Sequence, residues 1–69
     1  MPFVNIRIVK EVIADDPAAK KAAITREVIG AISRTAGISE DAIWVVFEEV
    51  PEADWFVGRT SVKDMRARS

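Results

Sequence analysis

Two stretches of the chain are rich in β-branched and aromatic residues, and each predicts a β-strand. In the first, from Phe3 to Val9, apolar residues recur with a period of two, which is typical of a strand with one buried face. Val4, Ile6 and Ile8 share that face. The second strand is expected from Ile43 to Val50, where both faces carry bulky apolar residues. Both of its faces are therefore expected to be covered by protein.

The segment between these strands predicts a long helix from Pro17 to Ala36. Asp16 can cap the free N–H groups of the first turn, and Pro17 suits the first helical position because its missing N–H costs nothing there. Gly37 is suited to end the helix, since glycine readily adopts a positive φ. The buried face is expected to be a stripe at three- and four-residue spacing, formed by Ile24, Val28, Ala31, Ile32 and Thr35.

The order strand, helix, strand predicts a right-handed β-α-β unit with two parallel strands. Residues 10–16 are expected to form the first loop, and residues 39–41 a short capped turn. In the C-terminal segment, Gly58 predicts the turn of a small hairpin, followed by one helical turn from Ser61 to Met65. The predicted fold class is α+β, with a single domain over residues 1–69.

One helix can cover only one face of such a sheet, so the other face, with Phe3, Trp44 and Val46, would be exposed in a monomer. An apolar patch of this kind usually marks an interface. The chain has only 69 residues, and a core of this size rarely supplies more than about 3–5 kcal/mol of stability. We therefore expect the subunit to assemble with copies of itself into an oligomer. In the alternative interpretation, the C-terminal tail folds over the patch.

Composition excludes several kinds of chemistry. The chain contains no cysteine and no histidine, so the sequence offers no disulfide, no Cys/His zinc site and no Ser-His or Cys-His nucleophile pair. A formal net charge of −1 gives no basic excess for binding nucleic acid or an anionic membrane. No apolar run approaches the roughly 18 residues of a membrane span. The sequence therefore indicates a cytoplasmic protein without a metal or another cofactor, and without nucleic-acid or membrane partners.

The N-terminus holds the most unusual candidate for catalysis. An initiator methionine is readily removed when a small residue follows it, and loss of Met1 would leave Pro2 with a free secondary amine. Such an amine is a general acid when protonated and a base or nucleophile when neutral. Apolar surroundings or a nearby cation would lower its pKa towards neutrality. In the simplest alternative, Pro2 is an ordinary residue at the start of a strand.

The order of these features resembles that of the 4-oxalocrotonate tautomerase family, and the resemblance extends from Pro2 to about Arg66. A proline at position 2 opens directly into a short strand. One long helix, a parallel strand and a loop with an aromatic-x-aliphatic-Gly pattern follow. The segments most similar to the family are Pro2–Ile8 (PFVNIRI), Ile24–Val28 (ITREV), Ala31–Arg34 (AISR) and Trp55–Gly58 (WFVG).

The resemblance implies an isomerase that needs no cofactor. In this family, β-α-β subunits pair their sheets into dimers, and the dimers form a hexamer. The processed proline, here Pro2, moves a proton within a small unsaturated 2-hydroxy or 2-oxo carboxylic acid. Arginines hold the substrate carboxylate, and an aromatic residue of the final loop, here Trp55, packs on the substrate. The expected partners are therefore a small-molecule carboxylate and further copies of the chain, in a homohexamer built as a trimer of dimers.

The arginines of the family do not all have a counterpart here. Trp44, which we expect to pack at a subunit interface, stands where the family has an arginine at the start of the second strand. Residues 10–13 replace a Gly-Arg pair after the first strand, and Phe56 and Arg59 replace glycines of the final turn. For Arg7, an ordinary exposed or interfacial arginine is the alternative. The side chains expected to bind the substrate are Arg59, Arg7, Lys10, Trp55 and Val57.

Two other functions stay open at this point. In the first, one of the glutamates Glu48, Glu49 and Glu52 activates a water, so that the enzyme hydrates or dehalogenates an unsaturated acid. In the second, the protein is a catalytically inactive oligomeric member of the family. The altered arginine positions favour this second alternative.

Overall fold

The chain alternates strand and helix and ends in a small hairpin, as a computed structural model describes it for residues 1–68. The strands are β1 (Phe3–Val9), β2 (Trp44–Val50), β3 (Phe56–Val57) and β4 (Thr60–Ser61), and the helices are α1 (Pro17–Ala36) and α2 (Val62–Ala67). Short 3₁₀ helices lie at Lys10–Ile13, Glu40–Ala42 and Glu52–Asp54. The predicted α+β class, a β-α-β subunit with a C-terminal hairpin, is confirmed.

The main sheet consists of β1 and β2, which pair in parallel. Phe3 lies opposite Trp44 at one end, and Val9 lies opposite Val50 at the other. The pairing extends one residue beyond β1, because the Trp44 N–H donates to the Pro2 carbonyl at 3.1 Å. The antiparallel hairpin of β3 and β4 forms a separate sheet.

The ends of α1 follow from three local features of the sequence. The Asp16 carboxylate accepts a hydrogen bond from the Ala19 N–H at 3.2 Å, which caps the first turn. Gly37 has φ 69° and ends the helix, and its N–H donates to the Ser33 carbonyl at 2.9 Å. The turn of the hairpin also requires a residue with positive φ, and Gly58 has φ 61° there. The predictions for Asp16, Gly37 and Gly58 are confirmed.

The core is small and lies between α1 and one face of the sheet. Its buried apolar side chains, among residues 1–68, are Ile13 and Ile43, which are 3% and 6% exposed. The helix turns a different side to the sheet from the one the spacing predicts. Ile24, Val28 and Ile32 are half-buried as expected, but Ala31 and Thr35 are exposed, and Ile29 is half-buried in their place.

Two boundaries also differ from the sequence expectation. The second strand begins at Trp44 because the Ile43 N–H closes the preceding 3₁₀ helix by donating to the Glu40 carbonyl at 3.2 Å. The expected loop at residues 10–16 contains the 3₁₀ helix Lys10–Ile13, which forms where Ile13 enters the core.

The shape of the subunit is extended. Its radius of gyration is 14.9 Å, against about 11 Å for a compact domain of this length. The outer face of the sheet is uncovered, with Phe3 61%, Trp44 56% and Val46 40% exposed. The C-terminal tail does not fold over this face, and the expectation that both faces of the second strand are covered is not met within one chain. None of the helices among residues 1–68 combines the length and hydropathy that a membrane span requires.

The cap of α1 can be tested with two neighbouring aspartates. Asp16→Ala removes the side-chain acceptor of the first turn, so we expect the free energy of unfolding to fall by about 1 kcal/mol. Asp15→Ala is the matched control, because the Asp15 carboxylate forms an exposed ion pair with Lys20 and does not accept the Ala19 N–H; this variant should have a smaller effect. Urea unfolding at one fixed protein concentration measures both, since association would otherwise change the result. Equal losses from the two variants would contradict the assignment of the cap.

Candidate active site

A cleft of about 360 Å³ lies at the C-terminal end of the main sheet. This volume is within the range of pockets that hold small molecules. Its lining comes from four parts of the chain: Arg7 on β1, Val50 on β2, Asp54 at the end of a 3₁₀ helix, and Trp55 with Phe56 at the start of the hairpin. The strand ends and the hairpin therefore meet in a concave surface with three apolar side chains and two opposite charges.

Arg7 is the cation of the cleft, and its neighbours on the outer face of the sheet hold it in place. Glu48 lies opposite Arg7 in the strand register. Its Oε2 is 3.5 Å from Arg7 Nε, while its Oε1 accepts a hydrogen bond from Asn5 Nδ2 at 2.8 Å. Because the Arg7 side chain is 67% exposed, this pair adds little stability, but it restricts the orientation of the guanidinium.

The apolar side of the cleft consists of two consecutive aromatic residues and Val50. Trp55 is half-buried, and its carbonyl accepts the Val62 N–H at 2.7 Å. Phe56 belongs to β3 and pairs with Ser61, but its ring is 58% exposed. The hairpin and the start of α2 thus hold the backbone of both residues while their rings border the cleft.

Asp54 brings the second charge of the cleft. Its backbone N–H donates to the Pro51 carbonyl at 2.9 Å, which closes the 3₁₀ helix. Within residues 1–68 its carboxylate makes no hydrogen bond or ion pair. The negative charge of Asp54 is therefore free to act on whatever enters the cleft.

Pro2 lies at the opposite end of β1 from the cleft. Arg7 lies five positions further along the chain, which corresponds to about 16 Å along a strand. Pro2 is half-buried, its carbonyl is held by the Trp44 N–H, and the exposed rings of Phe3 and Trp44 follow it on the outer face. Met1 precedes it and is 84% exposed.

Three of the predicted substrate-binding residues lie outside the cleft of their own chain. Lys10 starts the first 3₁₀ helix, whereas Val57 and Arg59 flank Gly58 at the tip of the hairpin. All three are exposed. Within the described residues, Lys10 and Arg59 make no ion pair. Among the predicted residues, the structure brings only Arg7 and Trp55 together.

The three glutamates considered for activating a water each have a basic partner. Glu48 pairs with Arg7, Glu49 pairs with Lys21 of α1, and Glu52 lies 3.3 Å from Arg66. Each of these carboxylates therefore already has a cation beside it.

Sequence reasoning missed three residues of the cleft, Val50, Asp54 and Phe56. Phe56 had a usable signal, since it replaces a glycine beside Trp55. Asp54 and Val50 had none, because a short 3₁₀ helix after the second strand brings them to the cleft.

The ionisation shift that the structure resolves lies away from the cleft. A hydrogen bond from Lys20 lowers the pKa of the Asp15 carboxyl below its usual value of 3.8. Both side chains lie near the start of α1. Residues 1–68 contain no group of three or more acidic side chains that could hold a metal ion.

Comparison with known proteins agrees with the fold. A family model described as "Tautomerase enzyme" matches residues 2–65. The chain belongs to the tautomerase family. Among solved structures, this family member is similar to TomN, described as a 4-oxalocrotonate tautomerase homologue in the tomaymycin biosynthetic pathway. The two share 30% sequence identity with a TM-score of 0.74, over 96% of this chain and 95% of TomN. No curated protein sequence matches the chain. The family that the sequence resembles is thereby confirmed.

The role of Arg7 can be tested by ligand binding. We expect Arg7→Ala to weaken binding of a small carboxylate such as 3-phenylpropionate about ten- to a hundredfold, because a hydrogen bond to a charged group contributes about 1.5–3 kcal/mol. Isothermal titration calorimetry measures the affinity. Arg26→Ala, on the exposed side of α1, is the control and should bind like the unchanged protein. If Arg7→Ala keeps full affinity while Arg59→Ala or Lys10→Ala loses it, the anion site lies elsewhere.

Proposed function

We propose that the protein is an isomerase that catalyses keto–enol tautomerisation, by a 1,3- or 1,5-proton shift, of a small unsaturated 2-hydroxy or 2-oxo carboxylic acid. The N-terminal Pro2 acts as the general acid and base once Met1 is removed. The observation that carries the proposal is the match to the tautomerase family from residue 2 onwards, with a proline at that residue. The reaction needs no cofactor, because the carbonyl of the substrate accepts the electrons.

The position of Pro2 suits this role. Its carbonyl accepts a hydrogen bond from the Trp44 N–H, which fixes the position of the ring at the start of β1. Its nitrogen is bonded to Met1, the residue that must be removed. The neighbouring rings of Phe3 and Trp44 are apolar and exposed in the single chain. When a second subunit covers them, water is excluded from the amine, which disfavours its charged form.

A complete site requires more than one chain. Pro2 and the cleft lie at opposite ends of β1, separated by about 16 Å, which is more than a small unsaturated acid can span. The uncovered sheet face offers an apolar surface for a second copy. We therefore propose a homohexamer, as a trimer of dimers, in which Pro2 of one subunit approaches the cleft of a neighbour. In this proposed assembly, the exposed hairpin residues Val57 and Arg59 of one subunit approach the cleft of another.

The proton is transferred in two steps while the substrate is held in the cleft. The neutral Pro2 nitrogen takes a proton from the enol hydroxyl or an α-carbon of the substrate, and the electron pair moves into the conjugated system. Arg7 neutralises the substrate carboxylate, with Arg59 and Lys10 as the other cations available, while Trp55 packs on the conjugated chain. The protonated Pro2 then returns its proton to the conjugated carbon, and the ketone leaves. General acid–base catalysis by such a group contributes about 10²–10⁴-fold.

The tautomerase proposal can be tested at Pro2. Intact-mass measurement should show a protein that is lighter by one methionine residue, because the amine must be free. With phenylenolpyruvate or 2-hydroxymuconate as the substrate, Pro2→Ala should lower kcat by about 10²-fold or more.

Pro17→Ala is the matched control for this substitution. Pro17 is the first residue of α1 and lies outside the proposed site, so this variant should keep its activity. Full activity of Pro2→Ala would rule out the mechanism. Turnover of 3-haloacrylates or acetylenic acids without tautomerisation would favour hydration or dehalogenation, and a retained Met1 without any activity would favour an inactive family member.

The proposed assembly can be tested on the outer face of the sheet. Val46→Glu places a charge in the apolar patch, where it would be buried by a second subunit at a high energetic cost. We expect the hexamer mass, measured by native mass spectrometry or light scattering, to be replaced by smaller species. Ala22→Glu, at an exposed position on α1, is the control and should leave the assembly unchanged. An intact hexamer in Val46→Glu would show that this face is not the interface.

A further inference from the structure

The cleft contains an unusual balance of charge for a protein that binds a small acid. Its lining holds one guanidinium, from Arg7, and one carboxylate, from Asp54. The remaining side chains, Val50, Trp55 and Phe56, are apolar. A ligand in this cleft therefore meets one cation, one anion and a largely apolar surface.

The cation has room for a single carboxylate group. Glu48 Oε2 lies 3.5 Å from Arg7 Nε, and the two terminal nitrogens of the guanidinium donate no hydrogen bond within residues 1–68. These two nitrogens form the fork that binds a carboxylate in a bidentate manner. Because Glu48 is itself held by Asn5, this fork stays available when the ligand arrives.

The anion of the cleft acts against a second carboxylate. Asp54 is exposed, and its charge has no partner within the described residues. Glu48, opposite Arg7 in the strand register, places another carboxylate beside the guanidinium. A dicarboxylate that places one end on Arg7 would have its other end near uncompensated negative charge, in surroundings that also contain two aromatic rings.

We propose that this cleft selects a substrate with a single carboxylate and an apolar, preferably aromatic, remainder, and that Asp54 excludes a second carboxylate. The inference rests on the proposed tautomerase function for the reaction, but the charge selection concerns binding and can be tested without turnover. Within the class of unsaturated 2-hydroxy and 2-oxo acids, the geometry favours arylpyruvate-like molecules over muconate-like diacids.

Turnover gives the first test. The ratio of kcat/KM for phenylenolpyruvate to that for 2-hydroxymuconate should exceed one by about tenfold in the unchanged protein. Asp54→Asn removes the charge but keeps the shape, so the ratio should fall by about three- to tenfold, as expected for like charges about 4 Å apart that water screens. Asp41→Asn, an exposed aspartate on the 3₁₀ helix before β2, is the matched control and should leave the ratio unchanged.

Binding gives the second test and separates this inference from the proposed reaction. Isothermal titration with two unreactive probes, 3-phenylpropionate and adipate, does not depend on Pro2. We expect the monoacid to bind more tightly, and Asp54→Asn to narrow the difference by the same three- to tenfold. A preference for adipate, an equal effect of Asp54→Asn on both probes, or no binding of either probe would overturn the inference. Loss of the Pro2 effect on turnover with the probe preference intact would overturn only the proposed reaction.

The salt dependence distinguishes charge from shape. At about 1 M salt the screening length shrinks to about 3 Å, so the preference for the monoacid should become smaller in the unchanged protein and should change less in Asp54→Asn. If the preference is the same at low and high salt, Asp54 does not act through its charge, and the inference is wrong.

Discussion

A two-stranded parallel sheet joined by one crossover helix has a face that its own chain cannot cover, and the rest of the molecule depends on this constraint. In the tautomerase-family subunit, α1 covers the side with Ile13 and Ile43, which are the buried apolar residues of the described chain. The accessible surface is 5001 Å², against about 4,300 Å² for a compact monomer of this mass. The outer face of the sheet therefore stays open in the single subunit, as the proposed assembly requires.

The uncovered face changes its character along the strands. At the start of β1 and β2 it carries the pair Phe3 and Trp44, then the pair Asn5 and Val46, and then the charged pair Arg7 and Glu48. Parallel pairing keeps equivalent ends of the strands together, so the apolar half lies beside Pro2 and the charged half beside the cleft. One surface thus offers an area suited to association and an area suited to recognising an anion.

The sequence predicted the features that depend on neighbouring residues. Asp16, Gly37 and Gly58 have the roles that local backbone geometry assigns to their residue types. The face of α1 that packs against the sheet was harder to predict, because packing decides whether Ile29 or Ala31 is covered. The cleft was predicted only through Arg7 and Trp55. Its acid, Asp54, is brought to the cleft by a 3₁₀ helix that the hydrophobic periodicity does not predict. The role of its charge depends on a guanidinium that is distant in sequence.

The place of Pro2 at the head of β1 has a practical consequence for anyone preparing the protein. Under the proposed mechanism, the unprocessed chain is inactive, because the Pro2 nitrogen is then an amide and cannot accept a proton. Any affinity tag or cleavage scar fused ahead of Pro2 would keep the protein inactive, although the strand pairing of Phe3 with Trp44 would be undisturbed. Correct folding of a sample therefore does not show that it is active, and fusion partners belong at the C-terminus.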